Sequence, residues 1–152
     1  MKTRIALEQD WKAIESCVAD AYRGHVSRLG KLPASMGRDF RPAIERGEVH
    51  VCESKGAIVG VVVAAQRAGH LEVSSLAVRP GFQGRGIGTA LMKMAEVLAS
   101  SVGVRVIRLY THVALHEVIA YYERLGYVQC GRKMEDGYDR VFLEKRLTGG
   151  TA

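Results

Sequence analysis

The residues best placed to do chemistry form one stretch, Val78-Arg79-Pro80-Gly81-Phe82-Gln83-Gly84-Arg85-Gly86-Ile87-Gly88-Thr89, between a strand-like run and a helix-like run. Glycines allow close backbone approach and unusual torsions. Free N–H groups at a helix start, at the positive end of its dipole, suit a phosphate or pyrophosphate. The same residues would also serve as a tight strand-to-helix connection. Spacing removes two familiar phosphate loops. A dinucleotide fingerprint from Gly84 needs Gly or Ala where Thr89 stands, and one from Gly86 needs it where Leu91 stands. A Walker-type loop from Gly81 reaches Gly86 and then requires Lys at Ile87.

Other reactive side chains carry less. His112 and His116 are four apart, and His116-Glu117 begins like a zinc-protease helix, but the second histidine would fall at Ala120, so no metal site is expected. Cys17, Cys52 and Cys130 are odd in number and lack any C-x-x-C pair, which supports neither a disulfide framework nor a zinc ribbon. They are expected to be buried small hydrophobes in a reducing compartment. Lys plus Arg 22 against Asp plus Glu 16 gives +6, with the basic residues scattered and no aromatic-interleaved basic run. An anionic small ligand fits that balance, and nucleic acid is not expected.

The elements that must position the loop follow from apolar periodicity. Thr3 to Leu7 reads as a strand, and Asp10 as the N-cap of a helix striped by Trp11, Ile14, Val18 and Tyr22. A second helix is expected over Met36 to Arg46, shortened or kinked by Pro42 and ended by Gly47. Val49 to Glu53 and Ile58 to Ala65 form a hairpin, the second strand apolar enough for burial on both faces. His70 to Val78 is a strand whose apolar phase flips at Ser74-Ser75, Leu71 and Val73 having one parity and Leu76 and Val78 the other, which predicts a β-bulge. A strong helix then carries Ile87, Leu91, Met94, Ala95 and Leu98. Val104 to Thr111 is a strand, His116 to Leu125 a helix ended by Gly126, and Tyr127 to Arg132 and Tyr138 to Leu147 a hairpin through Asp136-Gly137.

Gln83, Gly86 and Gly88, after Leu76-Ala77-Val78-Arg79-Pro80 and before Tyr122-Glu123-Arg124-Leu125-Gly126-Tyr127, match the motifs of a known superfamily. The loop resembles the acetyl-coenzyme A loop of GNAT N-acetyltransferases, and the order of elements from about Arg4 to Leu147 is similar to theirs. The resemblance implies an α/β (α+β) fold with a mixed, mostly antiparallel sheet, a bulge that splays strands 4 and 5, and about four flanking helices. It implies one domain over residues 1–147, with residues 148–152 a flexible tail.

The resemblance also implies a site. Acetyl-coenzyme A is the expected cosubstrate, its pantetheine arm along Leu76, Ala77 and Val78 and its pyrophosphate on Gln83, Gly84, Arg85, Gly86, Ile87, Gly88 and Thr89. Acetyl would pass directly to an amine in a ternary complex. Such an amine titrates near 10 and must lose a proton before attack, so a base is expected. Glu72 stands where some family members carry a catalytic glutamate, with a water chain or His112 as alternatives. Tyr122 occupies the usual acid position, with Tyr121 as fallback. Leu115 replaces a frequent asparagine and Val118 a frequent small residue.

The acceptor site in the family is built from the first two helices and the last hairpin. Here Arg28, Lys31, Arg38, Arg132 and Arg140 could form an anionic-group pocket, consistent with a small acceptor bearing an acid. A peptide N-terminus, a polyamine, an amino acid or an antibiotic all fit the sequence. A noncatalytic acyl-coenzyme A sensor on the same fold is the alternative function, and homodimerisation, common in the family, has no assignable interface. Met1-Lys2-Thr3-Arg4-Ile5 leads into charge, and no apolar run approaches the roughly 18 residues of a membrane span. With 47% apolar and 25% charged residues, the composition predicts a soluble, cytoplasmic, globular domain without a membrane partner.

Overall fold

The computed structural model describes residues 1–30 and 36–148. Lys31, Pro33 and the tail residues 149–152 lie outside them. In chain order the elements are β1 (Lys2–Ile5), α1 (Trp11–Tyr22), α2 (Val26–Leu29), α3 (Arg41–Glu45), β2 (Val49–Ser54), β3 (Ala57–Arg67) and β4 (His70–Val78). There follow α4 (Ile87–Ser101), β5 (Val106–His112), α5 (His116–Arg124), β6 (Val128–Glu135) and β7 (Tyr138–Arg146). They form a seven-stranded sheet ordered β1-β2-β3-β4-β5-β7-β6, antiparallel except between β4 and β5. Parallel neighbours need a crossover, and α4 supplies it.

Apolar layers lie on both faces of the sheet. Ile14, Cys17 and Val18 of α1, with Phe40 and Ile44, pack on Val49, Val51, Val61 and Val63. On the other face Leu91, Met92 and Ala95 of α4, with Ile119 and Tyr122 of α5, pack on Val62, Leu71, Val73, Ile107 and Leu109. β3 is buried from Ile58 to Ala65, as its unbroken apolar run requires. Gly60 lets α4 approach: a Cβ there would stand 2.7 Å from Ile87 Cγ2 and 3.0 Å from Leu91 Cδ1.

The bulge falls at Ser74. Val63 faces Ser75 and Ala64 faces Val73, leaving Ser74 unpaired against β3. Leu76 and Val78 therefore join Leu71 and Val73 on the α4 side, whereas Ala77 turns to the α1 side. Pairing of β4 with β5 ends at Val73–Leu109, while β5 continues along β7 to His112–Arg140. The two parallel strands part there.

Four local expectations change. The helix expected from Met36 begins only at Arg41, because a proline ring is tolerated in a helix's first turn and Pro42 sits there. Asp10 precedes α1 without capping it; its carboxylate accepts from the Leu7 amide and from Arg4, each at 2.7 Å. On α4, Met92 and Ala99 are fully buried, and Met94 and Leu98 only partly. Cys130 is exposed rather than buried, because β6 is the outermost strand and is exposed from Val128 to Met134. Among the described residues no helix is long and apolar enough to cross a membrane.

Candidate active site

Parting β4 from β5 opens a cleft of about 630 Å³ whose walls come from both faces of the sheet. Ala21, Tyr22 and His25 close one side, the strand ends Val73–Val78 and Leu109–Thr111 the middle, and α4 and α5 the other. The Arg79 amide donates to the Val59 carbonyl, so Leu76 and Val78, of the opposite parity, turn their backbone groups away from β3 into the gap. There Tyr22 Oη donates to the Leu76 carbonyl at 2.8 Å and Gln83 Nε2 to the Val78 carbonyl at 3.1 Å. Side chains thus serve an edge that β5 has left.

At one end stands the glycine loop. Gly84 and Gly86 take φ of 79° and 81°, a left-handed conformation that lets the chain turn into α4, and no side chain caps that helix. The amides of residues 84–89 find no hydrogen-bond acceptor among the described residues. Those orphan donors and the dipole end fit a pyrophosphate. Gln83, Gly84, Gly86, Ile87, Gly88 and Thr89 line the cleft, as do Leu76, Ala77 and Val78. Arg85 does not; its guanidinium carbon lies 4.9 Å from the Phe82 ring centroid. Arg124 lines the cleft and has no acidic partner among the described residues. In the sequence Arg124 stands only within a helix-ending motif, yet its three-residue spacing from Tyr121 puts both on one face of α5.

The two tyrosines differ. Tyr121 Oη lies 3.1 Å from Thr89 Oγ1, and a Cβ on Gly88 would stand 2.9 Å from that same oxygen. Tyr121 is thereby tied to the start of α4. Tyr122 lines the cleft with its ring against Tyr121 and Tyr127, and its hydroxyl has no partner among the described residues. Burial, with the neighbouring phenols Tyr22, Tyr121 and Tyr127 adding to it, pushes the Tyr122 hydroxyl well above the usual phenol range.

Candidate bases separate as clearly. Glu72 is not a lining residue; it lies on β4 before the bulge and pairs with Arg67 at 3.2 Å. His112 Nδ1 accepts the Ala114 amide at 3.0 Å, which leaves its proton on Nε2. His25, unmarked by any sequence motif, lines the cleft. Burial, then the Arg28 charge, holds its imidazole below the usual value of 6.5, so it is neutral at pH 7. Its ring centroid lies 5.7 Å from that of Tyr22.

Beyond the bulge a smaller recess of about 90 Å³ adjoins the cleft, sharing Tyr22, His25, Ser74, Tyr110, Thr111 and Leu115 with it. The cations expected to line it are divided. Arg28 pairs with Glu117, Arg132 with Asp139 at 2.7 Å, and Arg140 with Glu135 at 3.0 Å while lying over the Tyr110 ring at 4.3 Å. Arg38 instead reaches the hydroxyls of Ser74 and Ser75. Among the described residues no three His, Cys, Asp or Glu side chains form a metal-binding group.

The chain is similar to known proteins in sequence and in fold. An uncharacterized N-acetyltransferase of Methanocaldococcus jannaschii is 36% identical over 116 residues, covering 70% of this chain and 51% of that protein. A second from the same organism is 32% identical over 104 residues, covering 64% of this chain and 65% of that one. The chain thus spans between about half and two thirds of the length of these curated relatives. Among solved structures, the PaiA N-acetyltransferase from Thermoplasma acidophilum in complex with coenzyme A aligns at TM-score 0.80 with 17% identity, over 95% of this chain and 98% of that one. The ribosomal-protein-S18-alanine N-acetyltransferase from Escherichia coli aligns at 0.78 with 18% identity, over 99% and 96%. These likenesses establish the fold. The acetyltransferase (GNAT) family profile matches residues 11–127, and the chain belongs to that family.

Proposed function

We propose that the chain transfers an acetyl group from acetyl-coenzyme A to a primary amine of a small molecule or peptide, by direct attack in a ternary complex. The carrying observation is that the partnerless Tyr122 hydroxyl and residues 84 and 86–89, whose amides are free, line one cleft. Bound acetyl-coenzyme A supplies the acetyl thioester. The amides of residues 84–89, with Arg124 beside them, receive its pyrophosphate, and the backbone of Leu76 and Val78 receives its pantetheine amides.

Proton handling falls to three side chains. The amine arrives as ammonium at neutral pH, its pKa being about 10, and must lose a proton to attack. His25, neutral and inside the cleft, takes that proton directly or through water once its Nδ1 gives up the Arg28 Nη2 that faces it at 3.4 Å; Glu72 serves only through water from its place beside Arg67. Tyr122, whose raised pKa keeps it protonated, donates to the departing sulfur. A thiolate of pKa about 8.5 is a fair leaving group, so the acid contributes moderately.

The test is thiol release from acetyl-coenzyme A over an amine panel, with calorimetry of cofactor binding alongside. Tyr122→Phe should lower kcat by about ten- to a thousandfold and leave acetyl-coenzyme A affinity nearly unchanged. An unchanged kcat removes Tyr122 from the reaction. Tight binding of acetyl-coenzyme A without release to any amine would move the chain to the sensor reading.

A further inference from the structure

The cations around the acceptor recess sort by what they already hold. Arg28, Arg132 and Arg140 each meet a carboxylate of this chain. Arg38 does not. Its Nη1 donates to Ser74 Oγ at 2.9 Å and to Ser75 Oγ at 3.4 Å, and its guanidinium carbon lies 5.1 Å from the centroid of the buried Phe40 ring. Its Nε and Nη2 donate to nothing among the described residues, and no carboxylate there lies within ion-pair distance.

A guanidinium half-withdrawn from water, with neutral hydroxyls on one edge and its remaining N–H groups free, is poised for an anion. Its planar fork matches a carboxylate with two parallel hydrogen bonds. Position makes this more than a surface charge. Ser74 is the bulged residue itself, and it lines both the cleft and the acceptor recess. Arg38 lines neither hollow itself and borders both through Ser74, so a carboxylate on its outer edge and an amine in the cleft can belong to one small molecule.

We propose that Arg38 receives the acceptor's carboxylate, so that the acceptor is a free amino acid, an amine with its carboxylate one or two carbons away. This rests on the acetyl-transfer reading above and narrows it. A polyamine brings only like charge to Arg38. A peptide N-terminus carries its terminal carboxylate too far off.

The experiment is a matched panel of free amino acids, their carboxamides and their decarboxylated amines, followed by thiol release with wild type, Arg38→Gln and Arg38→Lys. At least one free amino acid should be acetylated with kcat/KM about thirtyfold or more above its carboxamide, the scale of a charge-assisted hydrogen-bond pair. In Arg38→Gln that ratio should fall towards one, mainly through KM, while acetyl-coenzyme A binding by calorimetry persists. Arg38→Lys should recover part of the ratio, since an ammonium keeps the charge and loses the fork. Should a variant fail to fold, the wild-type ratio alone decides. Carboxamides or decarboxylated amines used as well as free amino acids would overturn the proposal. So would an equal loss on carboxylate and carboxamide in Arg38→Gln, or no amino acid acetylated by a protein that binds acetyl-coenzyme A. Failure to bind acetyl-coenzyme A would remove the acetyltransferase reading, and this inference with it.

Discussion

At the α4 end of the cleft the ligand-facing groups are backbone: the free amides of residues 84 and 86–89, two glycines in left-handed conformation and an uncapped helix start. At the α1–α2 end they are side chains: Tyr22 and His25 from one helical segment, Tyr110 from β5 and Arg140 from β7, with Arg38, from the loop before α3, behind Ser74. A backbone cradle depends on torsions, so a few glycines specify it and the side chains between them are free to vary. A side-chain recess depends on which groups four separate segments bring together, and on which charges cancel among themselves. The first end can be common to many proteins, whereas the second distinguishes this one.

Breaking the backbone end should have the largest effect. Gly86→Val puts a β-branched residue at φ 81°, where left-handed torsions cost L-residues roughly 1–2 kcal/mol and branched ones more. The turn must open and the amides lose their common aim. Acetyl-coenzyme A affinity should fall about a hundredfold or more, as expected for two lost charge-assisted hydrogen bonds. Calorimetry on a variant with unchanged circular dichroism measures it. An affinity within a few fold of wild type would mean that side chains, not amides, hold the pyrophosphate.

A smaller effect sharpens the same contrast. Arg124 lines the cleft and Arg85 lies over Phe82, so the two cations should separate cleanly. Arg124→Gln should weaken acetyl-coenzyme A binding about tenfold in dilute buffer, with the difference shrinking as salt screens it. Arg85→Gln should change it little, since an exposed cation contributes little. The reverse order would return Arg85 to the place the sequence motif gave it.

The fold was legible because its signals are local. The parity flip at Ser74-Ser75, the unbroken apolar run of β3 and the Asp136-Gly137 turn each lie within a few residues. The glycine loop was legible for the same reason, its residues being contiguous. Three features were not. Met36 to Phe40 carry apolar spacing, yet the helix waits for Pro42 to fall in its first turn. Cys130 lies on a strand whose position at the sheet edge only the topology reveals. The division among Arg28, Arg38, Arg132 and Arg140 depends on partners at sequence separations from five residues to 89, which a list of cations does not contain.

His25 is the side-chain end's counterpart to the loop, and pH tests it. Burial is the main cause of its lowered pKa, and the Arg28 charge adds to it. A base with pKa below 6.5 is neutral at pH 7 and takes up a proton only as pH falls. kcat/KM should therefore show an acid limb below pH 6.5. The neighbouring ion pair does not titrate in that window, because Arg28 holds the Glu117 carboxylate at about 2. His25→Gln should abolish the limb and lower kcat/KM at pH 7 by about fivefold, a small share of what a base can give because water accepts protons too. Arg28→Gln removes a charge that disfavours the imidazolium, so the limb should move to higher pH. A limb that survives in His25→Gln and disappears in Glu72→Gln would return the proton to Glu72 through water, and the recess would then serve to position the acceptor without activating it.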